Sequence, residues 1–329
     1  MYKILIILLL GFYLHAQDKY ELGNGVQISS YPIYLGGYFS VDYRNMNNEN
    51  RYRLDDVALL SYGNYDKFSY MAEVEYKQLY IKTYTQDTSF SSSDTNLYLE
   101  RLYADYNYNE NYMFRVGKYN SPIGFWNLLP INVLRDTTSF PYIIKNIFPD
   151  FTTGLNLSYT SFENDEIKIN VMLQHNEDLD DNYNNYKIDA HYGFGILYEK
   201  EQYSLKLNAG YFNRADTQDI LKNRNYILLS GKYETEKFQL MSELGYQSSK
   251  NKTTTPYSSY IQGSYRFRPK HLGVLRVESY KNRLTNIKDS LAIFGYTYRP
   301  IYPISFKSEY QFHSIKRENK ALISLSVMF

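Results

Sequence analysis

The chain ends on "KALISLSVMF", residues 320–329. Counted back from Phe329, Val327, Leu325, Ile323 and Ala321 are apolar, while Ser326, Ser324 and Lys320 lie between them. A period of two puts each set on its own face of an extended strand, so the segment has one greasy and one wet side.

The same period recurs back along the chain. In "IKINVMLQH" (167–175), Ile167, Ile169, Val171 and Leu173 share a face opposite Lys168, Asn170 and Gln174. In "SLKLNAGYF" (204–212), Leu205, Leu207, Ala209 and Tyr211 oppose Lys206 and Asn208. In "ISFKSEYQF" (304–312), Ile304, Phe306, Tyr310 and Phe312 oppose Lys307, Glu309 and Gln311. About 16 such segments follow: 33–44, 52–62, 67–83, 96–107, 112–119, 151–161, 166–175, 186–199, 203–214, 224–235, 237–248, 257–268, 272–282, 289–299, 302–314 and 318–329.

The connections choose between architectures. After even-numbered segments they are tight and polar, as in "GNYD" (63–66), "ENDE" (163–166) and "RPK" (268–270). After most odd-numbered segments they are longer, at 84–95, 120–150, 176–185 and 215–223. A β-sandwich does not impose this alternation. An all-β, transmembrane antiparallel β-barrel of about 16 strands does, with short periplasmic turns and long extracellular loops. Each segment also has the length a tilted membrane-crossing strand needs. Hydrocarbon offers no partner to an unpaired backbone group, so a sheet enters it only as a closed ring. The outside must then be apolar and the inside can stay wet, which reconciles a polar average composition with a membrane protein. Tyrosine, present 39 times, is amphipathic and collects where the apolar band meets headgroups.

The first residues predict export. Met1-Tyr2-Lys3 is a short basic start, Ile4–Leu14 an apolar run too short to cross a bilayer as a helix, and Ala16 a small residue at a cleavage point. We expect 1–16 to be a signal peptide, 17–32 an N-terminal periplasmic segment, and 33–329 the barrel. The chain has no cysteine and a formal charge of +1, so neither disulfides nor a nucleic-acid partner is implied. The expected location is the cell outer membrane of a Gram-negative bacterium, among its lipid and lipopolysaccharide. The aromatic C-terminal residue resembles the terminal signal read by the barrel-assembly machinery.

A ring of about 16 strands leaves an aqueous bore. The wet face is charged with both signs, which draws ions and small hydrophilic solutes into a low-dielectric opening. Pore-lining candidates on the strands are Arg101, Arg115, Lys118, Lys168, Lys206, Lys232, Arg266, Arg276 and Lys307, with acids such as Glu73, Glu75, Glu243, Glu278 and Glu309 among them. The longest connection, 120–150, holds the only Trp and four of the nine prolines. A loop in water would not be so apolar, so we expect it to fold into the lumen, or else against a neighbouring subunit. Inside, Arg135, Asp136, Lys145 and Asp150 become constriction candidates.

"FRVGKYNSPIGF" (114–125), the long insertion and "FPDFTTGLNLSY" (148–159) resemble the porin family typified by the phosphate- and polyphosphate-selective porins O and P, through Gly117, Lys118, Tyr119, Pro122 and Gly124. The resemblance implies a diffusion channel and a homotrimer. The family's dense Arg and Lys ladders have no counterpart in loop 120–150. Enzyme chemistry is not expected: His175, His191, His271 and His313 are scattered without a nucleophile motif. No cofactor motif surrounds Gly23 and Gly25, and the acidic loop "NEDLDDN" (176–182) matches no cation-loop spacing. The expected function is a passive pore for ions and small hydrophilic solutes. The alternatives are a non-transport surface barrel acting as adhesin, receptor or structural protein, and a barrel hydrolase.

Overall fold

The computed structural model describes residues 20–28, 31–162, 165–217, 221–250 and 252–329; the expected signal peptide lies outside them. Among the described residues one antiparallel sheet contains twenty strands. They are β1 (Tyr20–Glu21), β2 (Gly25–Gln27), β3 (Ile33–Met46), β4 (Glu49–Tyr65), β5 (Phe68–Tyr76), β6 (Tyr80–Tyr84), β7 (Ser89–Ser92), β8 (Leu97–Asn107), β9 (Tyr112–Asn120) and β10 (Phe151–Ser161). The rest are β11 (Glu166–Gln174), β12 (Ile188–Lys200), β13 (Tyr203–Arg214), β14 (Asn223–Glu234), β15 (Phe238–Ser249), β16 (Lys252–Arg268), β17 (His271–Asn282), β18 (Ile287–Ile301), β19 (Ile304–His313) and β20 (Lys320–Met328).

A closed ring is formed by β3–β5 and β8–β20, 16 strands in all. β20 shuts it against β3, with Ile323 opposite Tyr43 and Val327 opposite Phe39. Phe329 completes the seam by exchanging two 2.8 Å backbone hydrogen bonds with Gly37. Closure leaves no edge, the condition hydrocarbon imposes.

The outward face is apolar at every second residue. Leu205, Leu207, Ile227, Leu229, Leu275, Val277 and Phe294 are exposed, Leu205 and Phe294 to 56%, a continuous belt that would aggregate in water. Aromatic pairs flank it at the short-turn rim, among them Tyr112 with Tyr159, Tyr203 with Tyr233, and Phe68 with Tyr106. No helix among the described residues is long and apolar enough to cross a membrane, and the strands supply the crossing.

Several connections at the other rim are tighter than their expected bounds. Asn47 and Asn48 carry positive φ of 49° and 63° and turn β3 directly into β4, as a two-residue hairpin requires. The segment 67–83 is broken at 77–79, where Gln78 has φ 57° and its amide donates to Asp55. β6 nonetheless continues along β4, and with β7 it makes a hairpin of the expected loop 84–95. At the N-terminus, β1 pairs with β2, and β2 lies against β3.

Candidate functional site

Residues 121–150 leave β9 and return to β10 by way of two short 3-10 turns, Trp126–Leu128 and Asn132–Leu134, and one helical turn, α1 (Tyr142–Asn146). The apolar side chains that set this segment apart in the sequence are buried against the inner wall. Ile123, Trp126, Ile143, Ile144, Ile147 and Phe148 pack on Met172, Phe212, Tyr226, Leu228, Met241 and Tyr260 of β11 and β13–β16. Ile131 and Val133 pack on Tyr38, Ala58 and Leu60 of β3 and β4. The inner face of β11–β16 is therefore partly apolar rather than uniformly wet. "NYILLS" (225–230) carries the sign of this, since Tyr226 and Leu228 break the alternation with apolar residues on the inner side.

Backbone groups buried this deeply need partners, and among the described residues no strand pairs with the segment. Charged side chains of the wall take that place. The Lys206 ammonium donates to the Gly124 carbonyl at 2.8 Å, and that of Lys307 to the Asn132 carbonyl and to its side-chain oxygen. Arg299 donates to the carbonyls of Val133 at 2.6 Å and Arg135 at 2.8 Å. Arg276 donates to the Thr137 hydroxyl at 2.8 Å and to the Ser139 carbonyl at 3.2 Å. The acids hold the amides. Glu243 accepts from Phe125 at 2.5 Å and Trp126 at 3.4 Å, Glu309 from Thr138 at 3.0 Å, and Glu278 from Tyr142 at 2.8 Å. Hydrogen bonds with one ionised partner are the strong ones, so charge of both signs clamps the loop along its length.

Two glycines of the 114–125 stretch have a local reason. Gly117 has φ +124°, and a Cβ there would overlap the Leu102 carbonyl. Gly124 has φ +65°, and a Cβ would stand 2.6 Å from Glu243 Oε1. Both conformations favour glycine, and the second also makes room for the carboxylate that binds the next two amides.

The expected pore-lining residues therefore divide. Lys206, Arg276 and Lys307 are buried loop clamps. Arg101 is buried in an ion pair with Glu73. Arg115 pairs with Asp105 at 2.6 Å, Lys232 pairs with Glu234 at 3.2 Å, Arg266 is exposed and donates to the Glu236 carbonyl, and Lys168 is half-buried; none of these four lines the main cavity. Lys118 needs correction. Its register partner is Leu102, which is exposed on the outer face, and its ammonium is sealed in a 3.0 Å ion pair with Asp178, both side chains 0% exposed. The positive φ of Gly117 marks the irregularity just before it. The acidic loop 176–182 is thus a strap over β9 and β10. Its Asp180 accepts the Leu99 amide, and Tyr183 beyond it donates to Glu75.

Of the loop charges, Asp136 bonds Ser264 at 2.9 Å and pairs with Arg299 at 3.4 Å. Lys145 pairs with Asp150 at 2.6 Å. Burial pushes the Asp150 carboxyl above the usual carboxylate range, and the Lys145 ammonium opposes the shift. Arg135, Lys145, Asp150 and Arg276 line a cavity of about 660 Å³ between the loop and the wall.

Much of that wall had not been anticipated. Arg44, Arg51 and Arg53 of β3 and β4 face the cavity with Asp55, Asp56 and Glu100, beside the expected Glu75. Arg53 lies between Asp42 at 2.5 Å and Asp55 at 2.8 Å. The Tyr38 hydroxyl lies 2.7, 3.2 and 3.1 Å from carboxylate oxygens of Glu73, Glu75 and Glu100. The available signal was "RYRLD" (51–55), where Arg51, Arg53 and Asp55 recur at period two. The expected strand began at 52, which left Arg51 in a turn. Among the described residues no cluster of His, Cys, Asp and Glu is arranged to hold a metal ion.

No family model matches the chain, and no curated protein matches it. Solved structures do. A loop-deletion form of OmpT, an outer membrane protein of Vibrio cholerae, superposes with TM-score 0.62 at 11% identity, covering 90% of this chain and 99% of that one. The anion-selective porin from Comamonas acidovorans gives 0.62 at 12%, covering 90% and 98%. OmpF of Salmonella typhi, in complex with daunomycin, gives 0.61 at 11%, covering 90% and 97%. Likeness at such identity speaks for the fold: the chain is a closed 16-stranded antiparallel barrel like those of outer-membrane porins.

Proposed function

We propose that this protein is an outer-membrane porin, a passive channel for ions and small hydrophilic solutes narrowed by loop 121–150. The supporting observation is the charge-clamped loop. It fills the bore on the β11–β16 side with apolar packing and leaves a wet, two-signed cavity against β17–β20, β3–β5 and β8. Solutes partition into that cavity and pass the loop, with no bond made or broken. The stretch around Gly117 and Gly124 supports kinship with porins O and P, and through it a trimer. The cavity's basic side chains, among them Arg44, Arg51 and Arg53 of the wall and Arg135 and Lys145 of the loop, are interspersed with acids, so phosphate selectivity does not follow from the kinship. A leader at 1–16 fits the export such a barrel needs.

The test is purified protein in planar bilayers. Stepwise, ohmic conductance is expected, and R135E with K145E should move the reversal potential under a salt gradient toward cation preference. A barrel that inserts and stays silent refutes the porin reading and returns the chain to a surface adhesin or receptor. An unmoved reversal potential removes the loop from the constriction.

A further inference from the structure

The cavity holds two groups of like charge whose own partners do not satisfy them. On the basic side, Arg44 and Arg51 are direct cross-strand neighbours, a placement like charges disfavour, and the Nε of each is buried without a partner. Arg135 of the loop is 2% exposed, yet its Nε and Nη1 have no hydrogen bond. Its ion pair with Asp56 is a long 4.0 Å. On the acidic side, Arg101 answers Glu73 and Tyr183 donates to one oxygen of Glu75, but Tyr38 has one proton for all three carboxylates, and Oε1 of the buried Glu75 has no partner. Phe140 lines the same cavity 37% exposed, with the Arg135 guanidinium stacked on its ring at 4.0 Å.

Unmet buried donors and acceptors are rare because they are costly, and each calls for an explanation. A simple anion would satisfy the arginines and meet the carboxylates as a repeller. A simple cation would do the reverse. A molecule carrying both charges satisfies both groups at once. We propose that this cavity is a recognition subsite for zwitterionic amino compounds, that is, amino acids and short peptides. Arg135 and Arg51 take the carboxylate in the planar two-point manner of guanidinium groups. Glu75 and Glu100 take the three donors of the ammonium. Phe140 offers an apolar face to a side chain. The inference rests on the porin reading and adds a solute class to it.

Current block in planar bilayers at low salt tests it, because screening hides such pairs at high salt. The probes are triglycine, N-acetyltriglycine, triglycine amide and N-acetyltriglycine amide, which carry both charges, one of either sign, or none. Triglycine should reduce the current at a concentration about tenfold below that of the neutral peptide, with the singly charged peptides between, each ion pair being worth roughly three- to fivefold. E75Q should remove the advantage of triglycine over N-acetyltriglycine, and R135Q its advantage over triglycine amide. Equal midpoints for the four peptides on a conducting, unmodified channel overturn the subsite and leave the porin intact. If R135Q fails to assemble, the four-peptide comparison and E75Q still decide. A silent barrel refutes the porin reading and the subsite with it.

Discussion

Replacing Gly124 with alanine should loosen the loop at one defined point. At φ +65° an L-residue costs about 1 kcal/mol. The new Cβ would stand 2.6 Å from Glu243 Oε1 and 3.0 Å from Oε2, so the carboxylate must withdraw. That breaks the 2.5 Å bond from the Phe125 amide and the weaker 3.4 Å bond from Trp126. A buried hydrogen bond to a charged group contributes about 2 kcal/mol, and the long one less. The sum, about 3 kcal/mol, corresponds to roughly a hundredfold rise in the undocked loop, at tenfold per 1.4 kcal/mol. Chymotrypsin cleavage at Phe125–Leu128 reads that population when opening is faster than cleavage. The initial rate should rise about a hundredfold in the low-protease regime, with added noise in single-channel records. E243A alone should do much of the same. Because both substitutions act through one contact, the G124A/E243A pair should be far from additive. An unchanged cleavage rate in G124A, or full additivity in the pair, would refute the idea that Glu243 holds the loop through the space Gly124 leaves.

Other consequences are as direct. D178N leaves the fully buried Lys118 ammonium without its counter-charge, a loss of about 3–5 kcal/mol; proteolysis of 175–187 should accelerate while the barrel stays heat-modifiable in gels. For Asp150 the folded carboxyl titrates above its unfolded value. Its contribution is therefore fully present below the unfolded aspartate value near pH 3.9 and is lost as pH rises through the folded value. D150N should flatten the corresponding decline in loop protection between acid and neutral pH. F329A removes an aromatic ring packed beside Gly37 at the seam and should lower barrel stability by roughly 1–2 kcal/mol, seen as a lower urea midpoint for the folded band. A midpoint equal to that of the unmodified protein would mean that the two backbone bonds to Gly37 suffice.

The sequence by itself determined the ring. Alternation at 167–175, 204–212 and 304–312 and the short turns on one side follow from two rules that act residue by residue: the strand period and the demand that oil face oil. Both are local, so they are written along the chain. What the inner face does was decided by tertiary structure. Lys206 and Lys307 read alike with Lys168 in sequence, each a lysine on a wet face, yet the first two are spent on loop carbonyls and the third is not. Lys118 shares its register with the outward-facing Leu102 and still ends up sealed under a strap from 176–182. Arg44 and Arg51 lie on either side of a turn and become neighbours only because that turn is two residues long. A lumen charge has its role set by which backbone group happens to lack a partner across the bore, and that geometry, joining residues as far apart as 82 positions for Lys206 and 175 for Lys307, leaves no periodic trace in the chain.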